Sequence, residues 1–148
     1  MFALIHTLAS PDISVGIVDV TELNQIANQA RATNLASLRA IGALHKPPDV
    51  VLIDGAVAVD TGAVPSVAVT KLWHGTTSLS IAAASIVASV THHRIMVEYA
   101  DLYPAYGFHR HNGHVSPAHL AALTEYGPSP IHHTHNRKVQ AALAAHVG

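Results

Sequence analysis

Short apolar runs alternate along the chain with longer stretches in which apolar positions recur every three or four residues. Three such runs, at residues 15–18, 50–53 and 67–72, predict β-strands because they are short and rich in valine and isoleucine. The second run closes with Asp54-Gly55. That pattern is typical of a buried parallel strand whose carboxyl end carries a carboxylate.

Apolar positions at helical spacing predict four helices, and their ends carry recognisable capping residues. The predicted spans are 21–42, capped by Thr21 and closed by Gly42; 78–103, ending before Pro104; 117–127, capped by Ser116 and closed by Gly127; and 136–147. On the second helix one apolar stripe is predicted to be core: Leu79, Ala82, Ala83, Ile86 and Val90. Strands and helices then follow in the order strand, helix, strand, strand, helix, helix, helix, which predicts an α/β fold with parallel-type crossovers.

Composition excludes several classes of protein and kinds of site. The chain has 148 residues, enough for one domain, and its 49% hydrophobic content and net charge of −1 exclude a disordered or histone-like basic protein. It has no cysteine, which excludes disulfides, thiolate zinc sites and thiol catalysis. Neither a signal peptide nor a membrane-spanning stretch is recognisable, so we expect a cytoplasmic or organelle-matrix protein with no membrane partner.

Four segments, in order, resemble the carboxyl-terminal portion of the ribonuclease HII family. They are Val-Leu-Ile-Asp-Gly at 51–55, a serine- and alanine-rich helix at 78–88, Tyr-Pro-Ala-Tyr-Gly-Phe at 103–108 followed by His111 and Gly113, and Tyr-Gly-Pro-Ser-Pro-Ile-His at 126–132. The resemblance implies a partial ribonuclease H-like fold, with a few mainly parallel strands packed with helices and a helical carboxyl-terminal part. It also implies one domain over residues 1–148, truncated at its amino-terminal side relative to the family.

The resemblance implies a metal-dependent nuclease site of which one carboxylate is retained. The family binds magnesium or manganese with four acidic residues, two of them in an Asp-Glu-Ala-Gly-Arg-Gly segment that this sequence lacks. A third belongs to a Lys-Gly-Asp that aligns with Trp73-His74-Gly75, followed by Thr76. Asp54 is therefore the one catalytic and metal-binding candidate. Because two-metal hydrolysis needs several carboxylates, no cofactor is expected, and magnesium or manganese would bind only if another chain completed the site.

Histidine replaces lysine or arginine at several positions where the family contacts its substrate. The residues that the resemblance assigns to contact with RNA or an RNA–DNA hybrid are Arg110, His111, His114, His132, His133 and His135. Imidazoles keep hydrogen-bond donors but lose most of the positive charge at pH 7. If these side chains form one exposed patch, its charge should rise between about pH 7.5 and 5.5.

Each of these site residues also has a simpler interpretation. Asp54 could cap a turn, and the histidines could be surface residues without a ligand. The spacing His109-x-His111 and His132-His133-x-His135 also permits a zinc site, although it matches no known zinc motif. Trp73 could stack on a base or fill a core.

We predict a catalytically inactive ribonuclease HII-like protein that acts through contacts with RNA, an RNA–DNA hybrid or another protein. One alternative is a structural subunit of a larger ribonucleoprotein assembly. Another is a metal-dependent endoribonuclease on RNA–DNA hybrids, completed by a separate amino-terminal half. The strand at 50–53 would leave an exposed sheet edge, so we expect a homo-oligomer or a partner protein that covers it.

Overall fold

The computed structural model describes residues 12–54, 68–72 and 78–147. In this part of the chain six α-helices, one short 3₁₀ helix and two strands follow one another. They are α1 (Val20–Ile26), α2 (Gln29–Gly42), β1 (Val50–Asp54), β2 (Ala68–Leu72), α3 (Leu79–Leu102), the 3₁₀ helix (Pro104–Tyr106), α4 (Phe108–His111), α5 (Pro117–Tyr126) and α6 (Arg137–Val147). The predicted α/β character is confirmed.

The predicted strand at 15–18 is wrong, because this segment lies against a helix instead of pairing in a sheet. Ser14 Oγ donates a hydrogen bond to the carbonyl of Ala40, and Arg39 Nη1 donates to the carbonyl of Ile17 at 2.6 Å. A Cβ at Gly16 would lie 1.8 Å from the carbonyl oxygen of Ala36 on α2. Val15 and Ile17 remain 41% and 49% exposed, so the segment is held on α2 by its hydrogen bonds and by Gly16, where glycine allows the close approach of the two backbones.

The single helix predicted over 21–42 is two helices, and its cap is Asp19 instead of Thr21. Asp19 and Glu22 form a capping box, in which the Glu22 amide donates to Asp19 Oδ1 at 2.8 Å and the Asp19 amide donates to Glu22 Oε2 at 3.3 Å. Helix α1 ends at Ala27, which has a left-handed φ of 51°. Asn28 then caps α2 by accepting from the Arg31 amide at 3.1 Å. No glycine or proline marks this break in the sequence.

The strands predicted around 50–53 and 67–72 are confirmed as a parallel pair. Their register runs from Val50 opposite Ala68 to Asp54 opposite Leu72. The expectation of a buried strand is wrong in the described part of the chain, since β1 alternates between exposed and half-buried residues. Val50 and Leu52 expose 51% and 39% of their surface. One face of β1 thus carries exposed apolar side chains.

The carboxyl-terminal half contains the core, and the predicted helix ends there are confirmed. Ser78 caps α3, and Ser116 caps α5, whose backbone ends at Gly127. Buried side chains from α3, the 3₁₀ helix, α4, α5 and α6 form one cluster: Met96, Ala100, Tyr106, Phe108, Ala122, Leu123 and Ala142. The predicted core stripe at the start of α3 is wrong, because Leu79 is 90% exposed and its other four residues are only half-buried. The core lies against the second half of α3.

Across the described ranges, no helix combines the length and the apolar character needed to span a membrane.

Candidate functional site

Asp54 is the last residue of β1 and its side chain is exposed. Within residues 12–54, 68–72 and 78–147, no three histidine, aspartate or glutamate side chains are grouped so that they could hold a metal ion. A pair of hard cations about 4 Å apart requires several carboxylates between them. The donors around Asp54 that the structure describes therefore do not fit the magnesium or manganese site implied by the resemblance. Gly55, Trp73, His74, Gly75 and Thr76 lie outside the described residues.

Three histidine rings meet in the carboxyl-terminal half, around the most deeply buried side chain, Phe108. His111 of α4 and His119 of α5 stack with ring centroids 4.6 Å apart, and His132 lies 5.3 Å from His119. Phe108 is 2% exposed and contacts all three rings at centroid distances of 5.6 to 6.0 Å. His119 and His132 are each only 6% exposed. We call His111, His119 and His132 the histidine cluster.

The hydrogen bonds of the histidine cluster determine which ring nitrogen carries the proton. His119 Nδ1 lies 3.0 Å from the carbonyl oxygen of His114, which can only accept, so Nδ1 is the protonated nitrogen. In a neutral ring, His119 Nε2 is then an acceptor, and His132 Nε2 donates to it at 3.0 Å. His132 Nδ1 accepts in turn from the amide and the hydroxyl of Ser129, at 2.9 Å and 2.8 Å. The acceptor roles of His119 Nε2 and His132 Nδ1 each require a neutral ring.

Electrostatics agree with these neutral rings. Burial, together with the neighbouring His119, lowers the pKa of His132 to about 4. Burial also lowers the pKa of His119, and the charge of His111 acts in the same direction. His132 was expected to lie in an exposed patch that titrates near 6.5. That expectation is corrected, because the ring is enclosed by the core and cannot take up charge in that range.

His111 is also partly withdrawn from the expected patch. Its Nε2 donates to the carbonyl oxygen of Tyr106 at 3.0 Å, and its Nδ1 is buried without a hydrogen-bond partner among the described residues. Its position in the cluster follows from α4, which begins at the left-handed Gly107, where φ is 61°. His111 thus packs inside the molecule and joins α4 to α5.

The other four predicted contact residues are wholly or partly accessible. Arg110, His114 and His135 are exposed, and His133 is half-buried. The rings of His133 and His135 lie 5.7 Å apart. Arg110 and His114 adjoin His111 in the sequence, whereas His133 and His135 adjoin His132, so the histidine cluster ties both segments to the same part of the fold.

The alternative of a zinc site gains no support from the described residues, because neither His109-x-His111 nor His132-His133-x-His135 belongs to a group of three suitable ligands. His132 uses both ring nitrogens inside the protein. His93 of α3 donates from Nδ1 to Asn112 Oδ1 at 2.8 Å.

Two residues of this region were missed by the sequence analysis. His119 had one weak signal, its position three residues after the predicted cap Ser116, where its amide donates to Ser116 Oγ at 3.1 Å. Asn24 of α1 had none. Its Nδ2 donates to the His132 carbonyl at 3.3 Å, and its Oδ1 accepts from the Thr134 amide at 2.9 Å. Asn24 therefore holds the backbone of residues 132–134 against α1.

The fold and site define an α/β protein with a strand-end carboxylate and a histidine-rich helical part. Comparison with known families gives this class a name: the sequence model described as Ribonuclease HII matches residues 5–140. The chain belongs to the ribonuclease HII family.

Individual relatives agree with this assignment. Ribonuclease HII of Geobacter sulfurreducens is 43% identical over 143 residues, covering 97% of this chain and 64% of the relative. The ribonuclease HII of Bacillus licheniformis is 42% identical over 136 residues, covering 90% of this chain and 49% of the relative. That of Granulibacter bethesdensis is 42% identical over 139 residues, covering 93% and 62%. The chain spans between about half and two thirds of the length of these curated relatives.

Proposed function

We propose that this chain binds RNA or an RNA–DNA hybrid through the segments that carry Arg110, His114, His133 and His135, and that it does not hydrolyse the nucleic acid by itself. The proposal includes a partial ribonuclease H-like fold as the scaffold. The observation that carries it is the histidine cluster, which joins the two segments through contacts between α4, α5 and the turn at residues 129–135.

Charge supports the proposal that these segments contact the phosphate backbone of a nucleic acid. Arg110 is exposed, and its guanidinium group suits a phosphate. The exposed imidazoles of His114 and His135 can donate hydrogen bonds to phosphate oxygens, and each phosphate contact by a cation steepens the dependence of affinity on salt. We therefore expect the affinity for a hybrid to fall as the salt concentration rises.

The small number of carboxylates supports the proposal that the chain does not hydrolyse nucleic acid by itself. Asp54 stands at the carboxyl end of a parallel strand, where the sites of α/β proteins gather. The sequence contains no aspartate or glutamate between Asp60 and Glu98, the stretch that includes the segment aligned with the family's third acidic residue. One carboxylate cannot neutralise two divalent cations and orient the attacking water.

Fluorescence anisotropy with a labelled RNA–DNA hybrid of about two helical turns tests the binding proposal. Arg110→Gln should weaken binding several-fold and lower the salt slope by about one. The matched control is Arg31→Gln, which removes an exposed arginine from α2 and should leave the affinity unchanged. Equal effects of the two variants, or an affinity that does not fall as the salt concentration rises, would contradict the proposed contacts.

The hydrolysis part is tested with a hybrid that contains a single embedded ribonucleotide. We expect no product with magnesium or manganese. Metal-dependent cleavage that is lost in Asp54→Asn would overturn the non-catalytic proposal and favour a second candidate, a metal-dependent endoribonuclease on RNA–DNA hybrids. The placement of Asp54 at the end of β1 is the observation that favours this candidate. Its acidic partners would come from outside the described residues, for example from a separate polypeptide added to the assay.

A further inference from the structure

The turn at residues 129–135 is held from two sides. Inside the molecule, the ring of His132 bonds to Ser129 and His119, and the His132 amide donates to the Ser129 carbonyl at 3.0 Å. On the other side, Asn24 of α1 bonds to the backbone of His132 and Thr134. The His132 ring is thus the inner anchor of a short segment that also touches α1.

Protonation of either ring would disrupt this anchor, at His132 Nδ1 or at His119 Nε2. A proton on His132 Nδ1 would face the Ser129 amide, a donor that lies 2.9 Å away. A proton on His119 Nε2 would face the N–H of His132 across 3.0 Å. In either case two donors oppose each other inside the core, and a buried hydrogen bond is lost together with the burial of a charge.

Among the described residues that line the cavity beside the pair, no carboxylate compensates such a charge. His111 of α4 stacks on His119, and Tyr106 of the 3₁₀ helix lies 5.0 Å from the His132 ring. A cavity of about 410 Å³ borders both His119 and His132, and its other titratable or charged side chains are His92 of α3, Tyr99 of α3, His133 and Lys138 of α6. Among the described residues that line it, none is an aspartate or glutamate.

We propose that the His119–His132 pair is a pH-sensitive lock, closed when both rings are neutral, whose protonation releases the turn at residues 129–135 from α5. Because the pair is buried and the two ring nitrogens face donors or each other, acid opens the lock and neutral pH closes it. The turn carries His133 and His135, so opening would also displace these side chains. That last consequence rests on the proposed nucleic-acid binding, whereas the lock itself is tested without nucleic acid.

The sign of the effect follows from linkage. The pKa of His132 is lowered from 6.5 to about 4 in the folded protein, mainly by burial, so the unfolded chain binds more protons between these values. The stabilising effect of the neutral ring is complete above about pH 6.5 and declines as pH falls toward 4. For His132 alone, the equilibrium constant of unfolding should rise on the order of 100-fold over this range.

Urea unfolding followed by circular dichroism at pH 7.0 and 4.5 measures this effect. His132→Asn keeps an acceptor for Ser129 but cannot titrate. The rise in its unfolding constant from pH 7.0 to pH 4.5, which we call the pH response, should therefore be at least about fivefold smaller than in the unsubstituted chain. His45→Asn removes an exposed histidine and should leave the response unchanged. An undiminished pH response in His132→Asn would overturn the lock.

Two further measurements keep the proposal testable if His132→Asn fails to fold. His119→Gln retains an acceptor for His132 Nε2 and removes one titrating ring, so it too should reduce the pH response. Nitrogen NMR of the unsubstituted chain with labelled histidine should show His119 protonated at Nδ1 and His132 at Nε2 at pH 7. A doubly protonated His132 at that pH, or the opposite tautomer, would refute the proposal.

Discussion

Phe108 organises the carboxyl-terminal half at the scale of a single side chain. Its ring stacks on Tyr106 with centroids 5.4 Å apart and nearly parallel planes, and the edges and faces of the histidine cluster surround it. Aromatic pairs at such distances add to the free energy gained by burying the ring. Tyr106 is itself fixed by its hydroxyl, which donates to the Gly127 carbonyl at 2.7 Å. The burial of Phe108 and the hydrogen bond of Tyr106 thus stabilise the same part of the core.

Truncation of this ring should be costly. Phe108→Ala should lower the free energy of unfolding by about 3–5 kcal/mol, because it removes a fully buried side chain and leaves a cavity beneath three histidine rings. Leu79→Ala is the control: Leu79 is 90% exposed, so its replacement should change stability by no more than about 0.5 kcal/mol. Urea denaturation of both variants checks the contrast, and equal losses would contradict the assigned core.

At the scale of elements, the segment at residues 12–19 acts as a strap along α2. It has no strand partner among the described residues; instead the Ile17 carbonyl accepts from Arg39, and the Ser14 hydroxyl donates to the Ala40 carbonyl near the end of α2. Arg39 also makes a two-point ion pair with Glu22 of α1, at 2.6 Å and 2.8 Å. This pair lowers the pKa of Glu22 to about 2. One arginine therefore joins the strap, α1 and α2.

Glycine at the strap should be irreplaceable. Gly16→Ala should destabilise the protein by about 1–3 kcal/mol, because the new methyl group would lie 1.8 Å from a backbone oxygen of α2 and the backbones must move apart. Gly42→Ala is the matched control at the last residue of α2. Nothing lies within 4 Å of the position its Cβ would occupy, so this change should be neutral or stabilising by up to about 1 kcal/mol. Thermal unfolding distinguishes the two, and an unaffected Gly16→Ala would show that the strap does not pack as described.

At the scale of the whole molecule, the parallel pair β1–β2 leaves apolar surface accessible. Parallel sheets are normally covered on both faces, yet Val50 and Leu52 are exposed on β1. An edge or face of this kind invites association with another chain. We propose that a second copy of this chain covers it in solution.

Light scattering after size-exclusion chromatography tests this association at micromolar concentration. We expect a mass of at least two chains, and a shift toward a single chain in Leu52→Lys, which places a charge on the exposed face. Val115→Lys, at an apolar residue exposed in the loop before α5, is the control and should leave the mass unchanged. A folded protein with the mass of one chain at this concentration would count against a homo-oligomer. If the chain is instead purified from its native organism together with another bound protein, that protein becomes the favoured partner.

The sequence by itself determined the features that depend on neighbouring residues. These are the strands at 50–53 and 67–72, the caps Ser78 and Ser116, the end of a helix at Gly127, and the family motifs. Caps, turns and short apolar runs act over a few neighbouring residues, so their pattern is legible without the fold. Only the tertiary structure decided that the run at 15–18 packs on α2 and that His132 is enclosed. The second decision depends on Phe108 and His119, which reach His132 from other elements. A histidine is equally suited to a surface and to a satisfied core, so its exposure follows from contacts that local sequence does not contain.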